Sequence, residues 1–140
     1  MARSLSLFII KGRREIKLET ENRTVLLCEP DDSLRESLSL VLKPKYKTSS
    51  ISYQEQVLTE LSKFNYDLLI LDIDPRGMKN LKIYNEVKRI SPNTKILSLY
   101  VFDENVENVD SEVRKLSNAV LYKPLDINHF LKTVKRVSKE

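Results

Sequence analysis

The sequence predicts an α/β fold, in which five parallel strands form one doubly wound sheet with helices on both faces. Short apolar runs alternate along the chain with segments whose apolar residues recur at helical spacing. One of these runs, Leu68 to Leu71, is closed at each end by an acid, Asp67 and Asp72. Such a run is typical of a strand buried on both faces. Strands that alternate with helices are joined in parallel by right-handed crossovers.

The length and composition of the chain indicate a single globular domain with one hydrophobic core. The chain has 140 residues, of which 41% are hydrophobic and 31% charged, and this is enough for a single core. The single cysteine, Cys28, excludes an internal disulfide, and no Cys and His cluster has zinc spacing. The first apolar run, Leu7 to Ile10, is too short for a signal peptide or a membrane span. We therefore expect a cytoplasmic protein without a membrane segment.

The net charge of +4 raises the question of a nucleic-acid partner. The basic residues are scattered, with mild clusters at residues 11–17 and 132–139, and no aromatic residues alternate with them. This pattern is typical of solvated protein faces. A nucleic-acid partner is therefore not expected.

Residues 1–23 form an N-terminal β-prone extension that differs from the remainder of the chain, residues 24–140. Ser4 to Ile10 is β-prone, Lys11-Gly12-Arg13 has the composition of a turn, and residues 15–19 alternate apolar with charged side chains. This pattern predicts a β-hairpin. Because an isolated hairpin is marginally stable in water, it would have to pair with a sheet edge, exchange within a homodimer, or stay partly mobile. The sequence leaves these three alternatives open.

The first predicted strand is Val25 to Cys28, and the acidic turn Glu29 to Asp32 follows it. Ser33 and Glu36 have the spacing of a capping box, which predicts the start of the first helix. Lys43-Pro44 ends that helix, because proline cannot continue it.

The next strand and helix have the same signals. Tyr46 to Ile51 is the second predicted strand, and Ser52 with Glu55 is a second capping box. After the central strand, the apolar spacing predicts a third helix that ends near Ser91-Pro92.

The fourth predicted strand is Ile96 to Phe102 and the fifth is Ala119 to Tyr122, which leads into Lys123-Pro124. Asp126 is the predicted cap of the last helix. The apolar faces of the five helices are, in chain order, Leu34, Leu38, Val41 and Leu42; Val57, Leu58 and Leu61; Leu81, Tyr84, Val87 and Ile90; Val106, Val109, Val113 and Leu116; and Ile127, Phe130, Leu131, Val134 and Val137.

Charged residues gather at the predicted carboxyl ends of the strands, where doubly wound sheets bind ligands. They are Glu29, Asp31 and Asp32 after strand one, Asp72 and Asp74 after strand three, and Lys123 after strand five. We therefore expect several acids and one lysine around a single crevice.

This edge of the sheet does not resemble a nucleotide site. The only glycines are Gly12 and Gly77, so there is no glycine-rich loop to bind phosphate. An acidic loop repels phosphate unless a divalent cation intervenes, and carboxylate oxygens suit Mg²⁺. A carboxylate, Mg²⁺ and a lysine together are suited to accepting a phosphoryl group.

From Thr24 to Val137 the sequence resembles the receiver domain of two-component response regulators, which has a CheY-like, flavodoxin-like fold. The most specific similarities are Asp67 to Ile73, then Gly77-Met78 and Leu81, and Lys123-Pro124 after the fifth strand.

The resemblance implies a role for each residue of the crevice. It makes Asp72 the phosphoacceptor, Glu29 the first of two metal-binding acids beside Asp72, and Lys123 the contact to the phosphoryl group. In the family the Lys-Pro bond is commonly cis. The implied cofactor is Mg²⁺, and the implied upstream partner is a histidine kinase or a phosphotransfer protein.

Three positions depart from the family pattern. The second metal-binding acid falls on Pro30, for which Asp31 or Asp74 could substitute. The switch hydroxyl falls on Tyr100, and the switch aromatic on Val120.

Ser98 points to the same face as Tyr100 but lies about 6.6 Å deeper in the strand, too far to replace the switch hydroxyl. The usual coupling between the phosphorylation site and a distant surface is therefore predicted to be absent.

Three functions remain open. The first is a signalling receiver, not an enzyme, that is phosphorylated on Asp72 and passes the signal to a protein bound at its fourth helix, fifth strand and fifth helix. The second is a pseudo-receiver that binds partners there without phosphorylation. The third is a haloacid dehalogenase-type aspartyl phosphatase, since Asp72-Ile73-Asp74 matches that core motif, although Arg76 departs from it. We interpret Cys28 as part of the core packing, and His129 as a surface residue rather than a phosphorelay histidine.

Overall fold

The structure is a computed structural model, and it describes residues 23–76 and 81–139. Five parallel strands form one sheet in the order β2-β1-β3-β4-β5, which confirms the predicted doubly wound α/β fold. The strands are β1 (Thr24–Cys28), β2 (Lys47–Ile51), β3 (Leu68–Asp72), β4 (Lys95–Tyr100) and β5 (Ala119–Tyr122). The α-helices are α1 (Asp32–Leu42), α2 (Val57–Lys63), α3 (Lys82–Ile90), α4 (Glu107–Leu116) and α5 (Ile127–Ser138). Short 3₁₀ helices, Gln54–Gln56 and Glu104–Val106, precede α2 and α4.

Strand β3 is the centre of the sheet. It pairs with β1 on one side and β4 on the other, with Leu69 opposite both Leu26 and Ile96. The side chains from Leu68 to Leu71 have no solvent exposure. The apolar run is continuous because helices cover both faces of this strand.

Alternate residues of β3 belong to two separate cores. Leu69 and Leu71 face a core shared with α2, α3 and α4, and Leu68 and Ile70 face a core shared with α1 and α5. The helix residues of the first core include Val57, Leu61, Tyr84, Val87 and Val113. Those of the second include Leu38, Leu42, Phe130, Val134 and Val137. Burial on both faces fixes the direction in which the carboxyl ends of the strands point.

The predicted capping box of α1 is wrong. The helix begins at Asp32, and its N-cap is Asp31, whose Oδ1 accepts a hydrogen bond from the backbone N–H of Leu34 at 2.8 Å. A carboxylate caps as well as a serine hydroxyl does, and Asp31 comes first along the chain. Ser33 and Glu36 therefore lie within α1, after its N-cap.

The predicted Ser52 and Glu55 box before α2 is also wrong. Gln56 supplies the interaction instead, because its Oε1 accepts from the backbone N–H groups of Tyr53 at 3.0 Å and Ser52 at 3.3 Å. A 3₁₀ turn precedes the α-helix here and displaces the capping position by one residue.

Strand β4 ends two residues earlier than predicted and begins one residue earlier. It ends at Tyr100, which is paired with Tyr122 at the end of β5, and β5 offers no partner beyond that residue. Val101 and Phe102 are consequently exposed. Ile127, predicted on the buried face of α5, is also exposed, because it is the first residue of that helix and lies outside the core.

Strand β2 lies at one edge of the sheet and β5 at the other. On β2, Lys47, Ser49 and Ser50 are exposed, and Thr48 and Ile51 are half-buried. The edge is therefore mainly polar.

Some predictions lie outside the described residues. The β-hairpin falls on residues 1–22, and the Gly77-Met78 similarity also lies outside, so these and the division at residue 23 stay predictions. Within the described part of the chain, no helix combines the length and the apolar character needed to cross a bilayer.

Candidate functional site

The carboxyl ends of β1, β3 and β5 bring three charged side chains together. Glu29 follows β1, Asp72 ends β3, and Lys123 follows β5. Nζ of Lys123 lies 3.0 Å from Oε1 of Glu29 and forms an ion pair with Oδ2 of Asp72. Because β4 separates β3 from β5, the lysine side chain extends across the end of β4. We call these three residues the acid-lysine triad.

The triad is largely excluded from solvent. The Glu29 side chain is fully buried, and the side chains of Asp72 and Lys123 are 12% and 19% exposed. The Lys123-Pro124 peptide bond that follows is cis, as the resemblance implies. Two acids held on one ammonium group in this environment form an ion pair network rather than a solvated surface cluster.

Burial raises the pKa of Asp72 from its usual value of 3.8 to about 6, and the nearby Glu29 charge adds to this effect, while Lys123 opposes it. For Lys123, burial lowers the pKa, but the ion pairs with Asp72 and Glu29 raise it by more, so the pKa lies above its usual value. The lysine is therefore cationic at neutral pH. Asp72 is mostly ionised at neutral pH and becomes protonated under mildly acidic conditions.

Glu29 is fixed by the loop that follows it. Its Oε2 accepts a hydrogen bond from the backbone N–H of Asp31 at 3.0 Å. Its Oε1 is buried and accepts no hydrogen bond from the described residues, although Nζ of Lys123 lies near it. The contact with Lys123 is therefore mainly electrostatic.

The residues present do not fit a magnesium site in this arrangement. Pro30 stands where the family has its second acid, and Oδ1 of Asp31 is used to cap α1 through the N–H of Leu34. Oδ1 of Asp74 accepts from the backbone N–H of Arg76 at 3.0 Å and lies 3.5 Å from its Nε. Among the residues that the structure describes, no three potential ligands come close enough to hold a metal ion.

The hydroxyl groups of Tyr100 and Ser98, near the end of β4, form hydrogen bonds with residues other than Asp72. Tyr100 is 1% exposed, and its phenol donates a hydrogen bond to Oδ1 of Asp110 on α4. The Ser98 hydroxyl is hydrogen-bonded to that of Tyr84 at 2.7 Å and to that of Ser117 at 2.6 Å. Both groups are therefore engaged away from Asp72.

Val120 stands at the position of the switch aromatic and has no polar group. It is half-buried and packs against the core that includes α4. It carries no hydroxyl or ring that could move between an exposed and a buried position.

A cluster around Asp110 was not predicted from the sequence. Asp110 also accepts from the phenol of Tyr122 at 2.6 Å and from Nε of Arg114 at 3.0 Å. The guanidinium group of Arg114 lies over the Tyr122 ring, 5.3 Å from its centroid. The sequence signals were the i,i+4 spacing of Asp110 and Arg114 and the tyrosines that end two neighbouring strands. We call Tyr100, Asp110, Arg114 and Tyr122 the Asp110 cluster.

A cavity of about 270 Å³ opens beside Asp72 and is also lined by Cys28, Pro30, Gln54 and Asp74. Burial raises the pKa of the Cys28 thiol to about 12, and the charge of Asp72 adds to this effect. The thiol therefore stays protonated and acts as core packing. His129 is exposed in the first turn of α5, as predicted.

The sequence matches the family model described as the response regulator receiver domain over residues 25–135, which is most of the chain. A comparison with curated proteins gives no match.

Several solved structures have the same fold. A putative response regulator from Chloroflexus aurantiacus is 24% identical, with a TM-score of 0.72, and the match covers 86% of this chain and 100% of that one. Response regulator TrrA from Thermotoga maritima, in complex with Mg²⁺-BeF, is 22% identical, with a TM-score of 0.68 and coverages of 83% and 99%.

The chemotaxis protein CheY4 from Vibrio cholerae is 23% identical, with a TM-score of 0.67 and coverages of 82% and 98%. At these identities the structural similarity shows the fold alone, and the family match carries the assignment. The chain therefore belongs to the family of response regulator receiver domains.

Proposed function

We propose that this chain is a signalling receiver in which Asp72 accepts a phosphoryl group and Lys123 neutralises the charge that is added. Receiver domains are signalling domains and generally not enzymes. The observation that supports the proposal is the acid-lysine triad, in which one ammonium group lies between two buried carboxylates at the ligand-binding edge of the sheet.

The proposed step is a nucleophilic displacement at phosphorus. Oδ2 of Asp72 is paired with Lys123, so the attacking atom is the other carboxylate oxygen, Oδ1. As the new P–O bond forms, the bond from phosphorus to the donor's nitrogen or oxygen breaks and the leaving group departs with its electron pair. The ammonium group of Lys123 can then contact the phosphoryl oxygens, where negative charge develops.

Receiver domains usually bind Mg²⁺, and the TrrA structure is described as a Mg²⁺-BeF complex. In this chain the oxygen ligands proposed for such an ion are Glu29 and Asp72. Asp31 and Asp74 each use Oδ1 as a hydrogen-bond acceptor, so Oδ2 is the oxygen with which either residue could complete the set. We assign no part of the proposed step to magnesium.

Receiver domains interact with histidine kinases and downstream effectors. The partners proposed for this chain are a histidine kinase or phosphotransfer protein upstream, and a protein that binds the surface of α4, β5 and α5 downstream. Phe102 and Ile127 are exposed beside that surface, and the Phe102 ring lies 5.1 Å from that of Tyr122. Aromatic and aliphatic side chains of this kind are common in protein interfaces.

A second candidate function is a pseudo-receiver that binds partners without phosphorylation. Two observations favour it: Pro30 removes a carboxylate from the acidic pair, and the phenol of Tyr100 is bound to Asp110. The haloacid dehalogenase alternative has no such support, because Asp74, the second acid of that motif, is hydrogen-bonded to Arg76.

The intact mass of the protein after incubation with acetyl phosphate tests the proposal. With Mg²⁺ present we expect an added mass of one phosphoryl group on the native chain and none on Asp72→Asn. A folded native chain without an adduct would contradict the proposal and favour the pseudo-receiver.

The same measurement on Pro30→Asp, with Mg²⁺ and with a chelator, tests whether the missing second acid limits phosphorylation of Asp72. We expect the variant to form the adduct faster than the native chain in Mg²⁺, because a second carboxylate provides a further oxygen ligand. Equal rates for the two chains would show that Pro30 does not limit the reaction.

A further inference from the structure

Asp110 connects three elements of the fold. It lies on α4 and accepts hydrogen bonds from Tyr100 at the end of β4, from Tyr122 at the end of β5, and from Arg114 one turn along its own helix. Its side chain is 15% exposed, whereas that of Arg114 is 51% exposed. Both oxygens of the carboxylate have partners, so the contact fixes the orientation of the helix as well as its distance from the sheet.

The aromatic rings strengthen the contact between the strands and the helix. The rings of Tyr100 and Tyr122 are 5.5 Å apart in an edge-to-face arrangement with an interplanar angle of 73°. Arg114 covers the Tyr122 ring and donates from Nη2 to its phenol oxygen at 2.5 Å. The cluster therefore combines charged hydrogen bonds, aromatic packing and a cation-π contact, each of which stabilises the same relative position.

The cluster keeps its charges over the physiological pH range. Partial burial raises the pKa of Asp110, but the hydrogen bonds from Tyr100, Tyr122 and Arg114 lower it further, so it lies below the usual value. Burial, together with the Asp110 charge, raises the pKa of Tyr100 far above its usual range. Asp110 therefore stays ionised and Tyr100 stays a hydrogen-bond donor.

The cluster lies directly beside the acid-lysine triad. Asp72 is paired with Leu99 in the sheet, and Tyr100 is the next residue. Tyr122 is paired with Tyr100, and the next residue is Lys123. Tyr100, which ends β4, therefore lies next to the strand ends that carry the triad. Its hydroxyl is bound to Asp110 on α4.

We propose that Asp110 is a positioning residue that holds α4 against the ends of β4 and β5 in one arrangement, whatever the charge on Asp72. This inference goes beyond the proposed function. It means that a partner docking on α4 and β5 finds the same surface in both charge states of Asp72, and that any effect of phosphorylation is transmitted by other elements.

Amide hydrogen exchange of residues 107–116, followed by mass spectrometry, tests the first half of the proposal. In Asp110→Asn we expect exchange roughly tenfold faster than in the native chain, since hydrogen bonds to a charged group are lost. The matched control is Glu112→Gln on the same helix, whose ion pair with Lys115 is on the surface at 3.8 Å. That control should stay within about twofold. Equal effects of the two substitutions would overturn the proposal.

Asp72→Asn tests the second half, because it removes the charge at the site without phosphorylation. We expect the exchange of residues 107–116, measured relative to that of the other helices, to stay within about twofold of the native ratio, since a change in global stability affects all the helices together. An acceleration or protection as large as the effect of Asp110→Asn would show that α4 responds to Asp72, and the proposal would be wrong. The outcome is independent of whether acetyl phosphate forms an adduct.

An ultraviolet titration of the tyrosines distinguishes loss of the Asp110 charge from general loosening of the fold, since loosening would also lower the pKa values that burial raises at Tyr46, Tyr66 and Tyr84. In Asp110→Asn, the pKa values of Tyr100 and Tyr122 should fall relative to the native chain, since the adjacent negative charge is gone. If that variant does not fold, Tyr100→Phe keeps the ring and removes one hydrogen bond, and should accelerate exchange in α4 by a smaller factor. Native exchange in a folded Tyr100→Phe, or unshifted phenols in a folded Asp110→Asn, would contradict the proposal.

Discussion

Asp72 is ionised in a place where ionisation is unfavourable. The carboxylate is 12% exposed and has Glu29 as a second acid beside it. Lys123 compensates for part of this cost, but the pKa of Asp72 remains raised to about 6. A buried charge that destabilises the folded state is common at functional sites and uncommon where only stability matters.

Replacing this charge should therefore stabilise the protein. Below its usual pKa of 3.8, Asp72 is protonated in both the folded and the unfolded state. As the pH rises towards 6, the unfolded chain loses the proton more readily, and the folded state loses stability. We expect Asp72→Asn to raise the free energy of unfolding by about 1–3 kcal/mol at neutral pH.

Urea denaturation at a series of pH values checks this prediction. The difference between variant and native chain should shrink as the pH falls from about 7 towards about 4. A variant that is less stable at neutral pH, or a difference that does not depend on pH, would contradict it.

The sequence predicted the positions of the triad but not the partners of the remaining acids. Asp72, Glu29 and Lys123 could be placed together because strand ends in a parallel sheet lie at one edge. Asp31 and Asp74 were offered as possible substitutes for the missing acid at Pro30. Short acidic side chains also bond to nearby backbone N–H groups, and sequence alone does not show which use prevails.

Asp110 was missed for a different reason. Its partners come from two strands and its own helix, and their convergence depends on the tertiary arrangement of β4, α4 and β5. Only the i,i+4 relation with Arg114 is visible in the sequence, and such a pair on a helix is ordinarily a solvated surface contact.

At the scale of the elements, periodicity identified every α-helix and strand of the described residues in the right order; the two short 3₁₀ helices were not predicted, and the other errors lie at the ends of the elements. Strand β5 was predicted with its observed bounds, whereas β4 ends at Tyr100 because β5 offers no partner beyond Tyr122. An element's type depends on its own sequence, but its end depends on its neighbours.

The N-cap of α1, Asp31, can be tested directly by substitution. Asp31→Ala should lower the free energy of unfolding by about 1 kcal/mol, because the backbone N–H of Leu34 loses its acceptor. Ser33→Ala should be close to neutral, since alanine is favourable inside a helix. Thermal or urea denaturation of the two variants distinguishes the caps. A larger loss for Ser33→Ala would return the N-cap to the serine.

At the scale of the whole molecule, β3 belongs to both cores. Leu69 and Ile70 are adjacent in sequence, fully buried, and face opposite sides of the sheet. Because both cores share this strand, neither can lose its packing without affecting the other. The described domain should therefore unfold as one cooperative unit.

Leu69→Ala and Ile70→Ala test this cooperativity. Each should lower the free energy of unfolding by about 3 kcal/mol, because each leaves a cavity in one core. Far-ultraviolet circular dichroism and tyrosine absorbance should give coincident single transitions in both variants. Two separated transitions in either one would show that the cores unfold independently.

The polar edge of the sheet has a consequence for how copies of the chain meet. A strand at an edge presents a row of backbone groups that another strand can pair with, and an apolar edge invites stacking of chains into fibres. On β2 the exposed positions are Lys47, Ser49 and Ser50. The lysine charges of two such edges repel one another, and the serines offer little apolar surface for a second sheet to cover. This edge therefore disfavours self-assembly through strand pairing, even though no other strand of the described residues pairs with it.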